Sequence, residues 1–261
     1  MNALRRVASA PWLVLALWAS QIAVAIVFGS VLAAMVTAAM APFAGLEDGY
    51  VFGSVVELLS IHRVVGAGAL AGLAVSGLVG LIGWSLVSGL VIGRLADFPR
   101  SEVAGRWAST LPGVLVTSVW HLVIRGALLV VVAFATAPLP RSVALLALAG
   151  ALAVSTLALD IARTQVVLHD AARFHVRTAT NAYVQAVRQW PLLIRALGPW
   201  FLQMLVVVVS AWLALASLGG ESHLWAVRAL SLMAVVFGLW RVALVVEAGR
   251  IDLGPRPRPE P

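Results

Sequence analysis

The chain has no cysteine, no lysine and little charge of either sign. Without cysteine it has no disulfides, no cysteine-ligated zinc and no thiol nucleophile, and it carries no signature of redox compartment. Only 11% of its 261 residues are charged, while 62% are hydrophobic. The longest polar stretch, near residues 163–190, is too short to build a core of its own. A soluble domain of useful size is therefore excluded. Catalytic signatures are missing as well: there is no GxSxG elbow, P-loop or HExxH. No two of the five histidines stand four residues apart, the spacing of a helical zinc site. No cofactor, metal site or enzymatic activity is expected.

What is present is long apolar runs separated by arginines. Mean hydropathy is +1.00. A helix needs roughly 20 apolar residues to cross a bilayer. Six segments meet that need, at about 11–40, 64–92, 111–137, 143–162, 196–218 and 224–248. The expected fold is an all-α polytopic membrane bundle over residues 1–250, followed by a disordered cytoplasmic tail at 251–261 that is rich in proline and arginine. Ala23-Val24-Ala25 has the look of a signal-peptidase site, but the apolar run continues to Met40, so the first span is expected to stay uncleaved.

Arginine sets the orientation. Of the eighteen, thirteen fall on the face that carries both termini, three (Arg63, Arg141, Arg228) flank the other face, and Arg125 and Arg241 lie inside spans. Positive charge in short loops marks the cytoplasmic side. The sequence thus predicts a multi-pass inner-membrane protein with both termini cytoplasmic. The net charge of +7 fits topology and contact with anionic lipid headgroups rather than nucleic acid. Two cytoplasmic segments, 101–111 and 178–190, each end in arginine and tryptophan ahead of a proline and are expected to be amphipathic helices on the inner interface. On the outer side, Ser54 and Glu57 have capping-box spacing ahead of a short apolar helix.

Two features inside the spans invite attention. Span two carries small residues at helical spacing: Gly68, Gly72, Ser76, Gly80, Gly89 and Gly93. Such residues let helix backbones approach closely in lipid, either within one chain or across a homodimer seam. The second feature is an intramembrane polar set. His121 and Arg125 share a face of span three. Arg125 is deep if that span starts near Leu111, or interfacial if the surface helix runs on to about His121. Asp160, near the end of span four, has Arg125 or Arg241 as a possible partner. An ion pair that locks the bundle is one use of this set, and a substrate or proton path is another.

The chain also resembles a group of uncharacterised bacterial inner-membrane proteins with about six spans. The residues that carry the resemblance are Leu4-Arg5-Arg6 with Ala10-Pro11-Trp12-Leu13-Val14-Leu15, then Ser88-Gly89-Leu90-Val91-Ile92-Gly93-Arg94, then Leu159-Asp160-Ile161-Ala162-Arg163, and the alanine- and arginine-bearing segment 182–191. The resemblance covers nearly the whole chain, includes an Asp-x-Ala-Arg motif at Asp160 and Arg163, and implies no reaction or ligand. Function is therefore expected to be that of a scaffold or accessory membrane component, with lipids and a protein partner or second copy as its contacts. A permease for a small solute, with a polar site near Arg125 and His121, is the alternative. No span has a proline near its middle, which weighs against the broken helices of transporters.

Overall fold

The computed structural model describes residues 3–23, 83–169, 175–216 and 224–252, and every element among them is a helix. In chain order these are α1 (Ala3–Ala8), α2 (Pro11–Ala23), α3 (Gly83–Leu95), α4 (Arg100–Thr136), α5 (Arg141–His169), α6 (His175–Arg188), α7 (Trp190–Ala216) and α8 (Leu224–Asp252). Stretches within α4, α5, α7 and α8 are long and apolar enough to cross a membrane. The described parts of predicted spans one and two are the shorter apolar helices α2 and α3. Gly68, Gly72, Ser76, Gly80, the outer capping box and most of the tail lie outside the described residues.

Burial is uneven along these helices. In α5 nothing before Ala153 is buried, whereas nearly every residue from Leu157 to Leu168 is. The outer stretches of α4 and α5 leave Val131, Phe134, Leu145 and Leu146 exposed. Large apolar side chains turned outward suit lipid as solvent. One core cluster joins Val7 and Leu17 to Ile92, Leu95, Val166, Leu239 and Val242. A second joins Ala158 and Ala162 of α5 to Ala182 and Ala186 of α6, Ala196 of α7 and Val245 of α8. The alanines of α5, α6 and α7 let those helices lie close.

Two expectations change here. The segment 101–111 is not a separate surface helix: α4 runs unbroken through Pro112 for 37 residues. Proline removes one backbone donor and crowds the preceding turn. The Pro112 ring faces outward, and α4 is gripped on its other side by α3. Trp107 Nε1 donates to the Leu86 carbonyl, and a Cβ on Gly89 would stand 3.1 Å from the Trp107 ring. Gly93 likewise faces Val103. The glycine pair Gly89 and Gly93 therefore serves packing within this chain. The segment 178–190 does behave as expected up to Arg188: α6 is a distinct amphipathic helix, and the Gln189 carbonyl accepts from the amides of Leu192 and Leu193 as α7 begins.

The second change concerns Arg163. It counted among the arginines of the face that carries both termini, on an amphipathic extension of span four through His169; α5 does run on to His169, but Arg163 is only 1% exposed. Trp18 of α2 donates to Ser231 Oγ at 2.9 Å, pinning α2 to the first turns of α8.

The α3–α4 connection is a Schellman turn. The Phe98 amide donates to the Gly93 carbonyl and the Asp97 amide to the Arg94 carbonyl, with Asp97 at φ 56°. That left-handed position usually holds glycine or asparagine. Here Asp97 earns its place by pairing with Arg6, which also donates to the Leu95 carbonyl at 2.7 Å. The amino-terminal helix is thereby tied to the end of α3.

Candidate functional site

The buried polar side chains converge on the middle of α5. Along that helix, Ser155, Asp160 and Arg163 face inward at 0%, 3% and 1% exposure. Each starts one branch of a network. Asp160 accepts from Arg241 Nε of α8 at 2.6 Å, and Arg241 Nη1 donates on to Gln203 Oε1 of α7. Gln203 can reach because Gly238 of α8 is bare beside it: a Cβ there would stand 3.0 Å from the Gln203 amide. Of the two partners open to Asp160 in the sequence, the structure selects Arg241.

The second branch belongs to Arg163. Its Nε donates to Ser118 Oγ of α4 at 3.1 Å and its Nη2 to Ser85 Oγ of α3 at 2.9 Å, while the two serines bond each other at 3.0 Å. Its Nη1 has no partner among the described residues. The cleft beside it, lined by Trp84, Ser88, Ile92, Asp160, Arg163 and Val242, is too tight for a water molecule.

The third branch is a triangle. Ser155 Oγ lies 3.3 Å from His121 Nε2 and 3.2 Å from Tyr183 Oη of α6, and the Tyr183 ring stacks on His121 with centroids 5.1 Å apart. Burial pushes the Tyr183 phenol above its ordinary value, against the opposing hydrogen bond with Ser155 and the charge of Arg125. His121 and Ser155 stand fifteen and fourteen residues from the α4–α5 turn, so they meet at one level about 21 Å from it. Arg125 lies nearer the turn, eleven residues from Thr136 or about 16 Å. It is half-buried and takes part in neither ion pair found among the described residues.

Of the four sequence candidates, the structure pairs Asp160 with Arg241 and sets His121 in a separate group with Ser155 and Tyr183; Arg125 belongs to neither ion pair among the described residues. The sequence reading missed Ser85, Ser118, Ser155, Arg163, Tyr183 and Gln203. Arg163 carried a signal, since it stands three residues after Asp160 on the same helical face. The serines carried none, because serine is tolerated anywhere in an apolar helix. A second cavity, roomier than the cleft at Arg163 and about 30 Å³ in volume, opens at the end of α5 between Thr164, Gln165, His169, Gln185, Gln189 and Gly249, with room for a water or two. Among the described residues no group of three metal-binding side chains occurs.

Comparison with protein-family models, with curated proteins and with solved structures finds no match.

Proposed function

We propose that this is a multi-pass inner-membrane protein with six spans and cytoplasmic termini, acting as a non-enzymatic scaffold or accessory component. One observation carries this reading. Side chains from α3, α4, α6, α7 and α8 bond to three inward residues of α5, so that three hydrogen-bonded groups tie one helix to five others. A cross-braced interior suits a rigid support, whereas alternating access needs bundles that rock. The resemblance to six-span bacterial inner-membrane proteins of unassigned activity agrees with it. The contacts of such a scaffold are anionic lipid headgroups and a protein partner or second copy. The outward face of α6 offers Val176, Val184 and Val187 alongside Arg177 and Arg188, with Trp190 following. That composition fits the inner headgroup region.

Because the chain has no native cysteine, single cysteines introduced at Ser9, Arg177 and Leu139 serve as topology reporters. Labelling from the cytoplasm is expected at the first two and from outside at the third. Photo-crosslinkers along the exposed face of α6 are expected to capture a discrete partner in cells. Flux of ions or small solutes through proteoliposomes that collapses on Arg125→Gln would replace the scaffold with the permease reading, which the half-buried, unpaired Arg125 favours.

A further inference from the structure

The cavity at the His169 end of α5 differs in kind from the cleft at Arg163. It lies between α5, the α6–α7 junction and α8, with a volume of about 30 Å³. Thr164 lines it and is 2% exposed, and the Thr164 Oγ1 has no hydrogen-bond partner among the described residues. A buried hydroxyl left unpaired costs stability. Gly249 of α8 leaves the space open: a Cβ there would already stand 3.4 Å from the Thr164 methyl. Across the cavity, Gln165 Nε2 donates to Gln185 Oε1 at 2.6 Å. That bond takes up one donor and one acceptor, and each amide keeps further hydrogen-bonding capacity. Gln189, whose amide nitrogen closes the turn on the Gln185 carbonyl, brings a third side-chain amide to the same wall.

This wall is rich in donors and acceptors, yet holds no arginine, aspartate or glutamate. An ion would lack a counter-charge there, so the matching guest is neutral. Threonine and glutamine side chains both give and take hydrogen bonds, and a hydroxyl answers both. The volume takes about two groups of that size. Position narrows the source. Thr164 and His169 stand 23 and 28 residues along α5 from Arg141, or about 35 and 42 Å. The hydrocarbon layer is about 30 Å thick. With the α4–α5 turn at one membrane surface, the cavity lies past that layer, among the headgroups of the other. Exposed Arg188, three residues after Gln185, adds a cation in the same helical turn.

We propose that this cavity binds a vicinal diol, taking its two hydroxyls against Thr164 and the glutamine amides. The diol is either the terminal glycerol of a phosphatidylglycerol headgroup, with Arg188 as the cation for its phosphodiester, or free glycerol. This goes beyond the scaffold reading, on whose placement of the spans it rests: the bundle selects what settles at one of its ends.

The test uses the full chain, delipidated in an amine-oxide detergent, which has no hydroxyl, and in glycerol-free buffer. Phosphatidylglycerol in mixed micelles is titrated in one arm and glycerol in the other, each carrying ¹³C in the diol. Phosphatidylmethanol, with the same charge and no headgroup hydroxyl, is the control for the lipid, and sucrose at equal osmolality the control for glycerol. Unfolding temperature and ¹³C line width are read. A diol probe is expected to raise the unfolding temperature saturably and to broaden its ¹³C signal, with the controls inert. Response to glycerol assigns the free diol, and response to phosphatidylglycerol alone assigns the headgroup. Thr164→Val is expected to weaken binding about threefold to tenfold, as the loss of one neutral hydrogen bond implies. Without ligand it is expected to unfold no lower than wild type, since the hydroxyl has no partner to lose. Gln189→Leu is expected to weaken binding to a similar extent and serves if Thr164→Val fails to fold. No response to phosphatidylglycerol beyond phosphatidylmethanol, together with no saturable response to glycerol, overturns the proposal and leaves water as the occupant. Binding unchanged in both variants overturns it too. Neither result touches the scaffold reading, which stands on partner capture and the cysteine topology reporters.

Discussion

Arg6 meets Asp97 across 3.0 Å with the carboxylate side chain 55% exposed, whereas Arg241 meets Asp160 across 2.6 Å with side chains 9% and 3% exposed. The chemistry is the same and both arginines are covered, Arg6 at 11% exposure, but the Asp97 carboxylate lies open and the Asp160 carboxylate does not. Water screens the first pair from the Asp97 side, so its geometry contributes little energy of its own. The second pair has no water to fall back on. Removing either partner strands a charge in the interior, and that penalty, more than the attraction itself, makes the pair indispensable. The molecule thus uses one ion pair to fasten a terminus and another to hold its centre.

Substitutions along this gradient test it. The largest loss is expected for Asp160→Asn, about 3–5 kcal/mol, because it leaves Arg241 buried without a counter-charge. Unfolding in detergent measures it, and a loss as small as that at Asp97 would break the contrast. In double variants, Asp160→Asn and Arg241→Gln are expected to be non-additive by more than about 1 kcal/mol, while Asp160→Asn and Arg125→Gln add to within about 0.5 kcal/mol. Equal coupling to both arginines would mean that the pairing is shared.

Next comes the joint between α3 and α4. Gly89→Leu puts bulk where a Cβ already stands 3.1 Å from Trp107. It is expected to cost about 1–3 kcal/mol, as overpacking does. Tyr183→Phe removes one corner of the histidine triangle for about 0.5–1.5 kcal/mol. It also changes the pH profile. Burial raises the phenol in the folded state, so the folded form holds its proton more tightly than the unfolded chain. That stability is fully present below about pH 10 and is lost as pH rises through the folded value. Wild-type protein is expected to weaken in that alkaline window more steeply than Tyr183→Phe.

The smallest effects belong to the surface pair. Asp97→Ala is expected to lose about 0.2–1 kcal/mol, and less in high salt. Asp97→Gly loses the same pair but relaxes the left-handed backbone at φ 56°, so it is expected to be the milder of the two. If glycine proves worse than alanine, the ion pair matters more than its exposure suggests.

Much of the architecture was legible in the apolar runs. The α4–α5 turn, the position of α8 and the separate amphipathic α6 all follow from where hydrophobic stretches stop. The continuity of α4 was not legible, because Pro112 carries a helix-ending signal that packing of Trp107 against α3 overrides. The interior network was half legible. Charged residues inside apolar runs announce themselves, as Asp160 and Arg241 do. Their hydroxyl and amide partners do not, because Ser85, Ser118 and Gln203 acquire meaning only through helices distant in sequence. Arg163 was misplaced for a related reason: burial at the end of a helix depends on what packs around it, and hydropathy alone does not contain that.

Asp160 precedes its partner Arg241 by 81 positions in the chain. A ribosome adding about 5–20 residues per second takes roughly 4–16 s to cover that interval. Throughout that interval the nascent carboxylate must therefore wait without its counter-charge until α8 emerges. Truncations that stop short of α8 should then be cleared by membrane quality control rather than accumulate, with Asp160 as the degradation signal.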